Sequence, residues 1–150
     1  MPVVRTRSEE ETLALGERIA RKLPSAAVVL LIGNLGAGKT TLAKGIVHGL
    51  GAAEREQVSS PTFTLIHEYG ISPKVYHVDL YRLETEREAA ALGLDELFDS
   101  GAVVLIEWGE RFPALLPAER IEIRLDIDGD EHRIEMPALL ADAECGKDAV

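Results

Sequence analysis

Gly33-Asn34-Leu35-Gly36-Ala37-Gly38-Lys39-Thr40 brings together the residue types that binding a phosphate chain requires. The run matches GxxxxGK[ST], the Walker A pattern. Gly33, Gly36 and Gly38 let the backbone wrap around an anion with its N–H groups inward, where a Cβ would obstruct. Leu35 and Ala37 contribute backbone to the same cradle. A helix starting at Lys39 would aim its positive end at the anion. Lys39 can neutralise β- and γ-phosphate charge and the Thr40 hydroxyl can ligate Mg²⁺. Thr41 is placed to donate to an α-phosphate. Hydrolysis or transfer also needs an acid at the end of a neighbouring strand. Glu107, directly after Val103-Val104-Leu105-Ile106, fits the metal-organising position. Asp79, after Val75-Tyr76-His77-Val78, could make a second metal contact or orient the attacking water.

These groups work only if strands and helices bring them to one edge. Ala26 to Ile32 is short, apolar on both faces and β-branched, which predicts a central strand of a parallel sheet. Lys39 to Leu50 reads as a helix burying Leu42, Ala43, Ile46, Val47 and Leu50, closed by Gly51. Ala102 to Ile106 is the second fully apolar strand. Upstream, Ser8 and Glu11 suggest a capping box for a helix with Leu13, Gly16, Ile19, Ala20 and Leu23 inward and Pro24 at its exit. Val58 to Pro61 reads as a loop. Phe63 to Tyr69 and Lys74 to Val78 read as two strands joined through Gly70 to Lys74. Helices are expected over Glu84–Leu92 and Asp95–Phe98. Alternation from Ile121 to Ile127, with a turn at Asp128-Gly129 and apolar Ile134 and Met136, predicts a half-exposed hairpin.

A chain of 150 residues without repeats or linkers predicts one domain over 1–140 and a polar, frayed tail over 141–150. The formal charge is −10, from 16 Lys and Arg against 26 Asp and Glu. Such a field repels phosphate backbones and anionic membrane surfaces, arguing against a general nucleic-acid binder. The longest apolar run is far short of a bilayer span and Met1 to Arg5 carries no leader-like core, so a cytoplasmic location is expected. The single cysteine, Cys145, excludes an internal disulfide and a Cys-based zinc site.

Four blocks then come in a distinctive order: Gly33 to Thr41, Ser60-Pro61-Thr62-Phe63-Thr64-Leu65, His77-Val78-Asp79-Leu80-Tyr81-Arg82-Leu83, and Glu107-Trp108. Together they resemble the TsaE (YjeE) family, bacterial ATPases of the tRNA threonylcarbamoyladenosine pathway, over nearly the whole chain. The resemblance implies an α/β, single-domain P-loop NTPase fold, its mixed parallel and antiparallel sheet flanked by helices, with ATP and Mg²⁺ as cofactors. It implies TsaD and TsaB as partners. Their complex modifies adenosine 37 of tRNAs reading codons that begin with A, and the ATPase resets or reorganises that complex. By the same resemblance Lys39 and Thr40 are the phosphate and Mg²⁺ positions, Glu107 the metal carboxylate and Asp79 the other active-site acid. Thr62 would be the polar contact of a switch-like loop near the γ-phosphate, and Thr12 would lie near the adenine. Asn34 departs from the family, which usually has Asp there; a shift in affinity is the most this should cause.

Several features carry alternatives. A small-molecule kinase shares the loop but needs a mobile, Arg-bearing lid. After Glu107 only Arg111, Arg120, Arg124 and Arg133 are available, three of them in the predicted hairpin. A GTP switch is unsupported, since no Asn-Lys-x-Asp sequence occurs. A scaffold that binds nucleotide without hydrolysing it stays open. Trp108 is a half-buried core aromatic, a group beside the site or a contact to a partner. Arg82 could reach a phosphate but is read as an exposed ion-pairing residue. His48, His67, His77 and His132 show no ligand spacing and are read as structural, with His77 kept open because it shares a strand face with Asp79.

Overall fold

Alternation and apolar content place each strand, and the sheet follows. The computed structural model describes residues 1–60 and 65–141. Its strands are β1 (Val3–Thr6), β2 (Val28–Ile32), β3 (Ile66–Tyr69), β4 (Val75–Asp79), β5 (Val103–Glu107), β6 (Ile121–Asp128) and β7 (Glu131–Glu135). They form a 7-stranded sheet in the order β1-β7-β6-β2-β5-β4-β3. The wholly apolar β2 lies inside, parallel to both β5 and β6, and β4 runs parallel to β5. The alternating segments form the flanks: β3 is antiparallel to β4, β6 to β7, and β7 to β1. The architecture is mixed α/β, as expected. Among the described residues, no helix is long and apolar enough to cross a membrane.

Helices α1 (Glu9–Ala20) and α2 (Lys39–Gly49) share one face of the sheet, where Leu15, Ile19, Leu42 and Ile46 pack on Val29, Leu31, Leu105 and Ile123. The short helices α3 (Glu86–Ala90) and α4 (Leu94–Phe98) supply Ala89 and Leu94 to the other face, against Val28, Leu30, Val104 and Ile106. The α1–α2 seam is made of backbone. A Cβ on Gly45 would sit 2.3 Å from the Leu13 carbonyl oxygen, and one on Gly16 2.6 Å from that of Leu42. Glycine at both positions lets the helices approach closer than side chains allow, which fixes α2, and the loop that feeds it, relative to α1.

The departures are local. Ser8 Oγ accepts from Glu11 N–H at 3.1 Å, but Glu11 returns its bond to Arg7 N–H rather than to Ser8, so the box is offset by one residue. A complete capping box forms instead at Thr85 and Glu88, starting α3. Ala26 and Ala27 precede β2 rather than belonging to it; Ala26 has φ +60°. β1, four residues ending on Thr6, was not anticipated. The expected strand start at Phe63, the Thr62 contact, the tail beyond Ala141 and Cys145 lie outside the described residues.

Candidate active site

The parallel registers bring the predicted residues together. Asp79 at the end of β4 lies opposite Glu107 at the end of β5, and Glu107 lies opposite Leu31 of β2. Chain alternation puts Val75, His77 and Asp79 on the same sheet face as Val103, Leu105 and Glu107, the face covered by α1 and α2. The glycine-rich loop leaves β2 at that edge and enters α2 there. A cleft of about 330 Å³ results, lined by Leu35, Gly36, Gly38, Lys39, Thr40, Thr41, Ser60, Asp79, Tyr81, Glu107 and Trp108.

Donors crowd its wall. The Thr40 hydroxyl lies 3.1 Å from both carboxylate oxygens of Glu107, so its single proton is shared between them. The Lys39 ammonium donates to the Gly33 carbonyl oxygen at 2.6 Å and stands 3.4 Å from the centroid of the Trp108 ring. That ring leans on Tyr81, with centroids 5.0 Å apart. Trp108 has φ +65°, a left-handed conformation rare for a bulky residue. This bend directly after Glu107 is what turns the indole over Lys39. Burial lowers the Lys39 pKa, an effect opposed by the nearby charges of Glu107, Glu110 and Asp79. Asp79 Oδ1 accepts from the Tyr81 N–H at 2.9 Å, and Oδ2 accepts a long bond from the Ser60 hydroxyl at 3.5 Å. Asp79 and Glu107 are each only 3% exposed.

Helix α2 presents an open N-terminus. Gly38 caps it in a left-handed conformation (φ +100°) with no side-chain bond to the first turn. The N–H groups of Gly38, Lys39, Thr40 and Thr41 have no backbone acceptor among the described residues. Inward donors and the positive helix end therefore face the same space as Lys39.

The description "Threonylcarbamoyl adenosine biosynthesis protein TsaE" belongs to the family model that matches residues 6–135. The chain belongs to the TsaE family. A Bacillus subtilis protein named tRNA threonylcarbamoyladenosine biosynthesis protein TsaE is 45% identical over 131 residues, covering 86% of this chain and 80% of its own. Its Haemophilus influenzae namesake is 38% identical over 148 residues, covering 95% and 90%. The crystal structure of Bacillus subtilis YdiB superposes with a TM-score of 0.69 at 37% identity, over 88% of this chain and 81% of that one.

Within this TsaE-family fold most of the predicted site converges on the cleft. Gly33 and Ala37 stand just behind its lining: Gly33 through the Lys39 bond, and Ala37, nearly buried, through its carbonyl. Thr12 is not brought there. Its hydroxyl is buried against that of Thr6 at 2.6 Å, joining α1 to β1. Arg82 is exposed and does not line the cleft.

Two histidines read as structural touch the machinery. His77 is fully buried, with Nε2 2.5 Å from Glu107 Oε2 and no partner for Nδ1 among the described residues. Facing a carboxylate, Nε2 is the donor nitrogen. The shared strand face of His77 and Asp79 was the available signal. His132 of β7 donates from Nδ1 to the Ala37 carbonyl oxygen at 2.8 Å. No spacing in the sequence marks this contact, because it depends on β7 lying two strands from β2. Glu110, one turn after Glu107, also escaped the sequence reading. Its Oε1 is buried without a partner among the described residues, and burial raises its carboxyl pKa.

Proposed function

We propose that this chain is a Mg²⁺-dependent ATPase with a P-loop NTPase fold. On this reading it supports threonylcarbamoyl formation on adenosine 37 of tRNAs reading ANN codons, acting on a TsaD–TsaB complex. One observation carries it: the Thr40 hydroxyl of a Walker A loop within 3.1 Å of the Glu107 carboxylate, beside Lys39 and Asp79. The oxygens of Thr40 and Glu107 are hard donors that suit Mg²⁺. Among the described residues no three His, Cys, Asp or Glu side chains form a metal-binding group. Mg²⁺ keeps several waters and takes phosphate oxygens, so two protein oxygens are enough. Bound there, it would neutralise charge on the β- and γ-phosphates. The cleft's own charge asks for that: Lys39 faces two carboxylates, so a bare triphosphate meets net repulsion.

The chain's residues then divide the work. The loop N–H groups and the α2 terminus hold the phosphates, and Lys39 exchanges its Gly33 bond for phosphate oxygen. Trp108 and Tyr81 wall off one side from solvent. Asp79, its Oδ1 fixed by the Tyr81 N–H, orients the water that attacks the γ-phosphorus as the bond to ADP breaks. The kinase alternative loses support from the arginines after Glu107. Arg111 donates to the Tyr81 carbonyl at 2.6 Å, Arg120 to Glu122 at 3.0 Å, and Arg124 and Arg133 face Glu122 and Glu135. With a charge of −10, direct tRNA binding by the isolated chain is not expected.

ATP and GTP hydrolysis should be measured for the chain alone and with TsaD and TsaB. Low activity alone, a marked rise with the partners and loss in Lys39→Ala are expected. Stimulation by a small-molecule phosphoryl acceptor, with none from the partner proteins, would overturn the reading.

A further inference from the structure

We propose that His132 is a positioning residue for the anion cradle, aiming the Gly38 N–H into the cleft by holding the preceding carbonyl outside it. The proposal rests on the nucleotide reading of that cleft. A trans peptide is planar, so the Ala37 C=O and the Gly38 N–H point in opposite directions. His132 Nδ1 bonds the Ala37 oxygen at 2.8 Å. Gly38 lines the cleft, whereas Ala37 and His132 do not. Fixing the oxygen on the β7 side therefore leaves the N–H directed at the phosphate space.

The peptide needs such a hold. Gly38 has φ +100° and bears no Cβ, so its own torsions do little to fix the peptide before it. The rest of the loop supplies one internal backbone bond, from Ala37 N–H to the Asn34 carbonyl at 3.1 Å. Unrestrained, the 37–38 peptide can turn its oxygen toward the cleft, replacing a donor with an acceptor that repels phosphate. His132 is itself rigidly mounted, on β7 between Thr6 of β1 and Ile127 of β6. Its ring stands 3.4 Å from where a Gly38 Cβ would be, so it fills the space behind the glycine.

The test compares His132→Asn, whose side-chain amide places an N–H donor at the same number of bonds from Cα, with His132→Leu, which removes the donor. ATP and inorganic tripolyphosphate affinities are measured by calorimetry in Mg²⁺, together with KM, kcat and the melting temperature. His132→Leu should bind both ligands about tenfold more weakly and raise KM with kcat little changed. His132→Asn should stay near wild type, with both variants melting alike. In the ligand-free protein, the Gly38 amide resonance should shift in the Leu variant alone. Wild-type affinity in His132→Leu, or equal loss in both variants, would overturn the proposal. A wild-type chain that binds neither ATP nor tripolyphosphate would overturn the nucleotide reading and this proposal with it.

Discussion

Two glutamates of this protein each lean on a histidine, and their surroundings differ in a way that separates a clamp from an acid lining the cleft. Glu17 of α1 contacts His48 Nδ1 and takes paired bonds from Arg55, whose guanidinium also reaches Glu10 at 2.6 Å. Arg55 lowers the Glu17 pKa, as a full positive charge must. Glu107 takes its bonds from His77 and from the Thr40 hydroxyl. The nearby ammonium of Lys39 is engaged with the Gly33 carbonyl. Glu17 is thus matched by a cation within its own fold and ties α1 to α2 and the segment after it. Glu107 is aimed and desolvated, with its charge unmatched by any bonded arginine or lysine among the described residues. On the proposed reading, a carboxylate held that way awaits Mg²⁺ from outside.

The largest effect should come from removing that charge. Glu107→Gln keeps the shape and is expected to lower ATP hydrolysis about a thousandfold with melting little changed. Steady-state kinetics beside a thermal melt will check both. A collapse of stability instead would put Glu107 in the same class as Glu17. Next comes the histidine behind it. His77→Leu should cut hydrolysis about 10–100-fold through weaker apparent Mg²⁺ affinity, and His77→Gln, which restores an N–H donor, should recover part of it. A Mg²⁺ titration at fixed ATP separates this from a general packing loss, which added metal cannot repair.

The smallest effect belongs to the clamp. Glu17→Gln should leave hydrolysis unchanged and lower Tm by about 3 °C. Its pH signature follows from linkage. The folded-state pKa of Glu17 is depressed, so its stabilisation is present above the ordinary glutamate range. It fades as pH falls through the lower folded value. Melting curves between pH 7 and about 3 should therefore converge for wild type and Glu17→Gln at the acid end. Parallel curves throughout would show that Arg55 does not govern this carboxylate.

What could be read from the chain follows the range of the interactions. The glycine-rich loop between β2 and α2, the strand-end acids and the interior strands are written in contiguous residues, and each was legible. β1 was not: its four residues include Arg5, and its partner β7 lies more than a hundred residues away. A separation of 95 residues hid the His132 contact. Thr12, which resemblance directs toward the adenine, has its hydroxyl buried against Thr6, a contact with β1 that no local pattern marks. The paired helices on one face were equally invisible, because their glycine seam is a property of two backbones meeting and not of either helix's pattern.

The placement of β2 between β5 and β6 has a consequence for how the protein comes into being. A growing chain that has reached residue 100 already carries Lys39 and Thr40, yet it lacks both strands that flank β2, as well as Glu107 and His132. The cradle is synthesised early and completed late. Its strand must wait for partners from the last third of the sequence, a long-range pairing that slows folding. A partly made copy cannot hold the cleft in finished form, so a completed cleft reports that nearly the whole chain has been translated.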